Sequence, residues 1–311
     1  MLIDRYNVFS KDNDASFKKK LRNYTTIVLR KKIYKRFDGF ERFFVRTAFK
    51  KKLDNWIDGF MAQNEPPLFT GVEIETINRC NGTCSFCPAN KNTEVRPYAK
   101  MTDEMFYSIV AQLKALNYKG LVGLSSNNEP FLDNRIIDFA KHVRQELPEA
   151  EVVLYTNGTL LTLEKFLDIM PSLNQMVIDN YSDDLKLFDN VKEIHEHTLK
   201  DRTYYEKVEI HIRKQTEVLS TRAGQSPNNK KQKTLDVSCT LPYLRMTIRP
   251  DGKISLCCND AQGKLTLGDL EKQSLVEIWR SETYKGIRQN LRNGRKFIPL
   301  CEFCDHTTYM V

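Results

Sequence analysis

The 311-residue sequence predicts an α/β fold built on a parallel sheet, with a basic helical segment before it and a β-hairpin and helix after it. From residue 70, short apolar segments rich in β-branched residues, such as EVVLYTN (151–157), alternate with segments of helical periodicity. Strands that alternate with helices are typical of a parallel sheet with right-handed crossovers, either open or closed into a barrel. In both forms the reactive groups lie at the carboxyl ends of the strands.

Five strands and three helices are predicted in this central region. The first strand, at 71–77, leads directly into a loop that contains three cysteines. The first helix, at 102–117, has Asp103 and Glu104 in its first turn, where the helix dipole favours acidic side chains. The other strands are predicted at 120–126, 151–157, 174–180 and 207–213, and the other helices at 134–146 and 161–170.

The C-terminal part follows a polar segment, AGQSPNNKKQKTLD (223–236), whose composition is typical of a linker. Two alternating segments on either side of the PDG tripeptide at 250–252 predict a β-hairpin. The SLVE sequence at 274–277 is a capping box, and it predicts the start of a helix that runs to about Gly294.

The excess positive charge is confined to the first 60 residues, which hold 16 Lys/Arg and 7 Asp/Glu, against 32 and 33 in the rest. Phe49, Leu53, Trp56 and Phe60 recur there at helical spacing. One interpretation is an amphipathic helix packed on the following domain, with a solvated basic face. The others are contact with an anionic membrane surface or with a phosphate-bearing substrate. Nucleic acid is not expected, because no recognition motif accompanies the charge.

The composition predicts a cytoplasmic protein with reduced cysteines. Hydrophobic residues make up 41% of the chain and charged residues 28%, and the apolar segments are too short to span a bilayer. The first residues, MLIDRYNVFSKDND, lack the apolar core of a secretion signal. Eight cysteines in such a chain indicate thiolates that bind metals rather than disulfides.

Cys80, Cys84 and Cys87 follow the first strand with the spacing C-x3-C-x2-C. Three thiolates on an iron–sulfur cluster leave one iron without a protein ligand and therefore able to bind a substrate or cofactor. Zinc is the alternative, although structural zinc sites usually pair two C-x2-C motifs.

This loop and the segments after it resemble the radical S-adenosylmethionine (SAM) enzymes. The resemblance runs from about Val72 to the C-terminus, and Phe86, just before the last cysteine of the loop, matches the family's signature. SSNNEPFLD (125–133) resembles the segment that binds the methionine amino group, with Asn127 and Asn128 in place of glycines and Glu129 retained. YTNGTLL (155–161) resembles the segment near the SAM ribose, although its Asn-Gly pair alone indicates only a turn. The resemblance implies that SAM is bound by Phe86, Asn128, Glu129, Tyr155 and Asn157.

The resemblance also implies the fold and the chemistry. The fold is a partial (β/α)6 TIM-type barrel. SAM would bind the open iron, and an electron from the cluster, delivered by a flavodoxin or ferredoxin, would cleave it. The resulting 5′-deoxyadenosyl radical would abstract hydrogen from the substrate, while the barrel positions the reactants and excludes water.

Four further cysteines resemble the ligands of the family's auxiliary-cluster domain, in its short "twitch" form rather than the seven-cysteine SPASM form. They imply a second, fully ligated 4Fe–4S cluster, and structural zinc is the alternative. The expected domains are 1–65, 66–222 and 239–311, with a linker at 223–238. The four cysteines are Cys239, Cys257, Cys301 and Cys304.

The spacing is similar to that of family members that act on sugars and aminocyclitols. Arg222 occupies a place where these relatives carry an arginine that faces SAM and substrate, which implies that it is a sixth SAM contact and a catalytic residue; it could instead be a solvated linker charge. Asp179 and Tyr181, at the end of the fourth strand, are in a position to face the substrate. Among the histidines, only His211 could line the barrel, since His195 and His197 lie in a charged segment.

Cys258 is the eighth cysteine and adjoins a predicted cluster ligand. If both lie in a strand, their side chains point to opposite faces, so Cys258 would face the barrel. A thiol can donate a hydrogen atom to a carbon radical, which would invert a carbinol centre. Alternatively, Cys258 fills the core or exchanges roles with Cys257.

The expected function is radical chemistry at a hydroxyl-bearing carbon of a sugar or cyclitol, with epimerisation ranked ahead of dehydrogenation. The sugar could be linked to a nucleotide. The alternatives are modification of a ribosomally made peptide and a zinc-binding protein without enzymatic activity.

Overall fold

The computed structural model describes residues 6–7, 39–229, 234–235 and 237–306, with side chains from residue 50 within the N-terminal helix. A nine-stranded mixed sheet has the order β1-β6-β5-β4-β3-β2-β7-β8-β9. The strands are β1 Tyr6–Asn7, β2 Gly71–Ile74, β3 Leu121–Gly123, β4 Glu151–Thr156, β5 Gln175–Tyr181, β6 Val208–Arg213, β7 Arg245–Ile248, β8 Lys253–Ser255 and β9 Thr266–Asp269.

The parallel part of the sheet has six strands and confirms the predicted α/β class. Strands β2 to β6 pair in sequence order, as expected. The sixth parallel strand is β7, which joins the free edge of β2 with Val72 opposite Met246. This sixth strand does not pair with β6, because the chain crosses the sheet after β6 and returns beside β2. The outer edge of β6 pairs instead with β1, in antiparallel orientation.

Helices cover the outer face of this sheet and enclose the apolar core. The best defined is α2, in which the Thr102 hydroxyl accepts a hydrogen bond from the Met105 amide and so caps the first turn. Strand residues that point outwards, such as Val72 and Leu154, are fully buried against the helices. The helices are α1 Gly39–Met61, α2 Asp103–Ala115, α3 Ile136–Glu146, α4 Leu163–Ile169 and α5 Asp189–Lys200.

The C-terminal region extends the same sheet. The predicted hairpin is present as β7 and β8, and β9 adds a third antiparallel strand. The predicted capping box is also present, with Ser274 and Glu277 each bonded to the other's backbone. The prediction of one helix to Gly294 is wrong, because Ser281 caps a second helix. The helices are α6 Leu241–Leu244, α7 Leu275–Trp279, α8 Glu282–Asn293 and α9 Pro299–Glu302.

Helix α1 packs on the C-terminal region. Leu53, Ile57 and Phe60 are buried, and the Phe60 ring lies 5.3 Å from that of Tyr243. Arg292 of α8 forms a two-pronged ion pair with Asp58 at 2.6 and 2.8 Å. This is the packed helix expected from the apolar spacing, and its described apolar face is therefore not free to enter a membrane.

Two N-terminal expectations are only partly covered. The side chain of Phe49 lies outside the described residues, as do residues 8–38. In the described part of the chain, no helix is both long and apolar enough to cross a membrane.

Candidate radical and auxiliary-cluster sites

The three-cysteine loop leaves the carboxyl end of β2 and is held by side chains rather than by regular structure. Asn90 is buried and its amide donates to the carbonyls of Cys84 (2.9 Å) and Cys87 (2.8 Å). Gln215, in the loop after β6, accepts from the Ser85 amide at 2.9 Å and from Thr83. The loop is therefore held by contacts within itself and by the segment that follows β6.

Two of the three loop sulfurs, those of Cys80 and Cys84, lie close to Gly82. A β-carbon added to Gly82 would lie 3.4 Å from Cys80 Sγ and 3.8 Å from Cys84 Sγ. Cys80 Sγ accepts from the Gly82 amide at 3.3 Å and from Asn157 Nδ2 at 3.7 Å. Burial first, and then the negative charge of neighbouring groups that include Cys87, raises the pKa of the Cys80 and Cys84 thiols to about 12. Thiolates in this place need a cationic partner, which cluster iron supplies.

Replacing Asn90 with alanine should weaken the loop and its hold on iron. The change leaves buried carbonyls without donors, so we expect a destabilisation of about 1–3 kcal/mol and a lower iron content after reconstitution. Asn180→Ala is the matched control, because Asn180 is equally buried and makes similar bonds to Lys186 and Phe188 away from the cysteines. Iron assay and thermal unfolding measure both effects. Equal iron retention in the two variants would contradict this role.

A cavity of about 320 Å³ lies beside this loop. The cavity brings together the three loop cysteines and all six residues predicted to contact SAM. Asp179 and Tyr181 also line it, as expected for substrate-facing positions. The six predicted SAM contacts are Phe86, Asn128, Glu129, Tyr155, Asn157 and Arg222.

Asn128 replaces a family glycine and supplies a side-chain donor. Its Oδ1 accepts from the Ser126 amide at 3.0 Å. Its Nδ2 is buried and has no hydrogen-bond partner among the described residues. Because an unpaired buried donor is costly, this amide fits a ligand acceptor in the cavity, such as a carboxylate.

Glu129 is 1% exposed and holds two segments of the cavity wall together. Its carboxylate accepts from the Asn157 amide (2.7 Å), the Thr156 hydroxyl (2.8 Å) and the Phe131 amide (3.1 Å). Burial raises the pKa of Glu129, and these bonds oppose the shift. The carboxylate thus fixes the end of β4 beside the cavity that Glu129 lines.

The barrel interior contains charged groups that the sequence analysis did not single out. Glu73 on β2 accepts from the Ser126 hydroxyl at 3.0 Å, and burial raises its pKa while Arg222 and Arg245 lower it. Successive side chains of a strand point to opposite faces of the sheet, and Glu73 lies between the apolar residues Val72 and Ile74 of β2. This alternation could have assigned Glu73 to the inner face.

His211 lies inside the barrel between two carboxylates. Its ring nitrogens are 3.0 Å from Asp179 and 2.9 Å from Glu209, and Arg213 lies 3.9 Å from Asp179. The bond to Asp179 first, and then the bond to Glu209, raise the pKa of His211 to about 9. His195 and His197 lie on α5 and do not line the cavity.

The His211 shift predicts a pH-dependent contribution to stability. A pKa raised from 6.5 to about 9 in the folded state stabilises the fold fully below pH 6.5, and this is lost as the pH rises through 9. The difference in melting temperature between wild type and His211→Gln should therefore be largest near pH 6 and shrink towards pH 10. A constant difference across this range would show that Asp179 and Glu209 do not raise the pKa of His211.

The four predicted auxiliary ligands meet in the C-terminal region. Cys239, Cys257, Cys301 and Cys304 are all buried and line one small cavity. Burial, followed by the charge of neighbouring cysteines, raises the pKa of the Cys257 and Cys301 thiols. None of the eight cysteines forms a disulfide. The set can therefore supply four thiolates to one cluster.

Cys258 does not line this cavity. The expectation that Cys257 and Cys258 lie in a strand is wrong, because β8 ends at Ser255. Strand alternation therefore does not explain why only Cys257 lines the cavity. The Cys258 thiol is half-buried, and its pKa is raised to about 12 by burial and by the charge of Glu73, while Arg222 lowers it. Cys258 thus lies near charged groups of the barrel interior.

Arg222 links the two cavities. It lines the barrel cavity, donates to the Asn127 side chain, and donates to the Cys258 carbonyl at 3.1 Å. Asn127 Nδ2 donates to the same carbonyl at 3.0 Å. Arg222 has a positive φ of 48°, and Ala223 follows with 54°. Such backbone is costly for residues other than glycine, so this turn is held by its surroundings.

Comparison with known proteins matches both regions. The radical SAM superfamily model matches residues 74–217, and the SPASM model of an iron–sulfur cluster-binding domain matches residues 239–305. The chain is 25% identical over 244 residues to the S-adenosyl-L-methionine-dependent 2-deoxy-scyllo-inosamine dehydrogenase of Niallia circulans. That match covers 78% of this chain and 94% of the relative.

Solved structures show the same fold. The crystal structure of BtrN in complex with AdoMet and 2-DOIA has a TM-score of 0.68 at 22% identity, over 78% of this chain and 94% of that chain. An open conformation of BtrN has a TM-score of 0.58 at 21% identity, over 77% and 94%. The interpretation as a zinc-binding protein without activity is not supported by these matches. Residues 74–217 thus belong to the radical SAM superfamily and residues 239–305 to an iron–sulfur cluster-binding domain, and these two domains imply SAM, a SAM-binding 4Fe–4S cluster and an auxiliary cluster as the cofactors.

Proposed function

We propose that this enzyme oxidises a hydroxyl-bearing carbon of an aminocyclitol or related sugar to a ketone, with the auxiliary cluster as electron acceptor. The observation that carries the proposal is the connection between the two cavities. Arg222 and Asn127 line the barrel cavity and both donate to the carbonyl of Cys258, the neighbour of Cys257. A short bonded connection of this kind suits electron transfer from a substrate in the barrel.

In this proposal the cysteines divide into two ligand sets. Cys80, Cys84 and Cys87 hold the SAM-binding cluster and leave one iron open, since the loop supplies three thiols. The other set is fully ligated and so can exchange electrons without binding substrate: Cys239, Cys257, Cys301 and Cys304. A flavodoxin or ferredoxin would reduce the first cluster.

The Niallia circulans relative is an S-adenosyl-L-methionine-dependent 2-deoxy-scyllo-inosamine dehydrogenase. That activity supports oxidation over the epimerisation ranked first from the sequence. The cavity also suits a small polar substrate, because carboxylate, amide, hydroxyl and guanidinium groups line it. Neither a phosphate group on the substrate nor a membrane partner gains support from the described residues.

The bound cofactors supply the hydrogen-atom abstraction from carbon and take up one electron. The chain's own residues position the alcohol and take its hydroxyl proton. Asp179 and Glu209 both bond to His211, whereas Glu73 bonds only to hydroxyls, those of Ser126 and Thr247, among the described residues. We assign proton acceptance to Glu73, whose pKa is raised by burial. Hydrogen atom, proton and electron together account for conversion of an alcohol to a ketone.

Transfer of a labelled hydrogen tests this function. The reconstituted enzyme would be incubated without oxygen with SAM, reductant and 2-deoxy-scyllo-inosamine deuterated at its carbinol carbons. We expect deuterium in 5′-deoxyadenosine and one ketone formed per SAM cleaved. SAM cleavage without deuterium transfer from this or any related aminocyclitol would contradict the substrate class.

Epimerisation is the second candidate, and the position of Cys258 is the observation that favours it. A half-buried thiol that stays protonated near Glu73 and Arg222 could return a hydrogen atom to a substrate radical. The two outcomes differ in whether Cys258 or the auxiliary cluster quenches the radical.

Replacing Cys258 with alanine separates these outcomes. If oxidation is the reaction, Cys258→Ala should still form ketone, since the seven proposed ligands are intact. If epimerisation is the reaction, the wild type run in D2O should place solvent deuterium on one product carbon, and the variant should not. Mass spectrometry of the product in D2O and iron assay of the variant distinguish the two. Loss of ketone from a variant that retains its iron would contradict the oxidation proposal as stated.

A further inference from the structure

The auxiliary cavity contains a buried cation, Arg295, which is 2% exposed and lines the cavity with the four cysteines. Its guanidinium donates to three backbone carbonyls: Val237 at 2.8 Å, Cys304 at 3.3 Å and His306 at 2.7 Å. Within the described ranges it makes no ion pair. Burying a guanidinium without an anionic partner costs several kcal/mol, so its charge requires an explanation.

The nearby carboxylates are engaged elsewhere. Asp260 accepts from the backbone amides of Lys264 and Leu265 at 2.8 and 2.9 Å. Asp305 accepts from the amide and hydroxyl of Thr221, both at 2.9 Å. Neither carboxylate contacts Arg295 in the described structure. Among the ionisable groups that line the cavity with Arg295, the cysteines are the ones able to carry negative charge.

A second buried arginine shows how the fold otherwise accommodates such a charge. Arg288 is 1% exposed and also donates to carbonyls, but it lies against three aromatic rings: Trp279 at 4.1 Å, Tyr284 at 4.7 Å and Phe60 at 5.4 Å. Cation–π attraction offsets part of the cost of its burial. No ring contact of this kind surrounds Arg295 in the part of the chain that the structure describes. The two sites therefore differ in what balances the charge.

We propose that Arg295 is the counter-ion of the auxiliary cluster and raises its reduction potential. Four thiolates around a 4Fe–4S core give a net negative charge, which becomes more negative on reduction. A fixed buried cation stabilises the reduced state more than the oxidised state, because the interaction grows with the charge of the cluster. Arg295 is thus a positioning residue that makes the auxiliary cluster a better electron acceptor.

The inference rests on the proposed function only in one respect, which is that the electron accepted by the auxiliary cluster comes from the substrate radical. The auxiliary cluster itself follows from the family match. The potential can therefore be measured without any substrate, and failure of the oxidation proposal would leave this test intact.

The test is a redox titration monitored by electron paramagnetic resonance. Replacing Cys80, Cys84 and Cys87 by alanine in every sample leaves the auxiliary cluster as the source of the signal. Into this background go Arg295→Met, which removes the charge, Arg295→Lys, which keeps it, and Arg292→Gln as control. Arg292 carries the same charge on the neighbouring helix but is partly exposed and paired with Asp58.

With Arg295→Met, the ratio of reduced to oxidised cluster at a fixed potential should fall at least tenfold, which is about 59 mV for one electron. Arg295→Lys should keep most of the original ratio, and Arg292→Gln should not change it. An unchanged ratio in an iron-replete Arg295→Met variant would overturn the proposal. Arg295 would then only hold the backbone around the cavity through its bonds to three carbonyls. If Arg295→Met cannot hold iron, retention in Arg295→Lys supports the role of charge. Loss of iron in both variants overturns it.

Discussion

Replacing Cys80, Cys84 and Cys87 together by alanine is expected to abolish SAM cleavage and to lower the iron content from about eight to about four per chain. The reason is that these three cysteines line the barrel cavity, whereas the other four ligands line the C-terminal cavity. Iron assay and 5′-deoxyadenosine production under anaerobic reduction measure both effects.

The same variant should keep its fold, since Asn90 and Gln215 hold the loop through backbone groups that the substitutions leave in place. Circular dichroism provides that check. A triple variant that still cleaved SAM, or one that lost all of its iron while remaining folded, would contradict the division of the cysteines into three and four.

Replacing Cys301 and Cys304 by alanine should have the opposite effect on catalysis, with SAM cleavage kept and ketone formation reduced. The barrel cavity and its three cysteines are untouched, so SAM cleavage should continue and about four irons should remain. Ketone formation should fall by more than about tenfold, because the substrate radical has lost its electron acceptor. The measured quantity is the ratio of ketone to 5′-deoxyadenosine.

The internal control for this double variant is the amount of iron retained in the SAM-binding cluster. If that iron is retained and the ratio is unchanged, the auxiliary cluster has a structural role and the oxidation proposal loses its acceptor. A Cys301→Ser, Cys304→Ser pair, which keeps polar groups of similar size, separates loss of the cluster from loss of packing around α9.

Local chemistry made much of the fold predictable. Thr102 and the acids after it mark the start of α2, and the capping box at Ser274 marks that of α7, because caps depend on neighbours in sequence. The end of α7 was missed since it depends on Ser281 competing as a new cap. The place of β7 was missed because strand pairing at a sheet edge is decided by tertiary structure.

The cavity residues divide in the same way. The cysteine loop and the segments around Glu129 and Asn157 carry recognisable motifs, and the structure gathers them in one cavity. Glu73, His211 and Arg295 belong to no motif. Their roles depend in part on partners distant in the chain, such as Asp179, which is 32 residues from His211, and Val237, which is 58 residues from Arg295. Only the folded arrangement brings these charges together.

The most direct measurement of the central claim is the mass of the product formed from 2-deoxy-scyllo-inosamine in D2O, with any carbonyl trapped as its oxime. Oxidation predicts a ketone that can be trapped as its oxime and that, before trapping and before exchange of neighbouring hydrogens, is two mass units lighter than the substrate. Recovery of an isomer that gives no oxime and carries one carbon-bound solvent deuterium would contradict oxidation and assign the reaction to epimerisation.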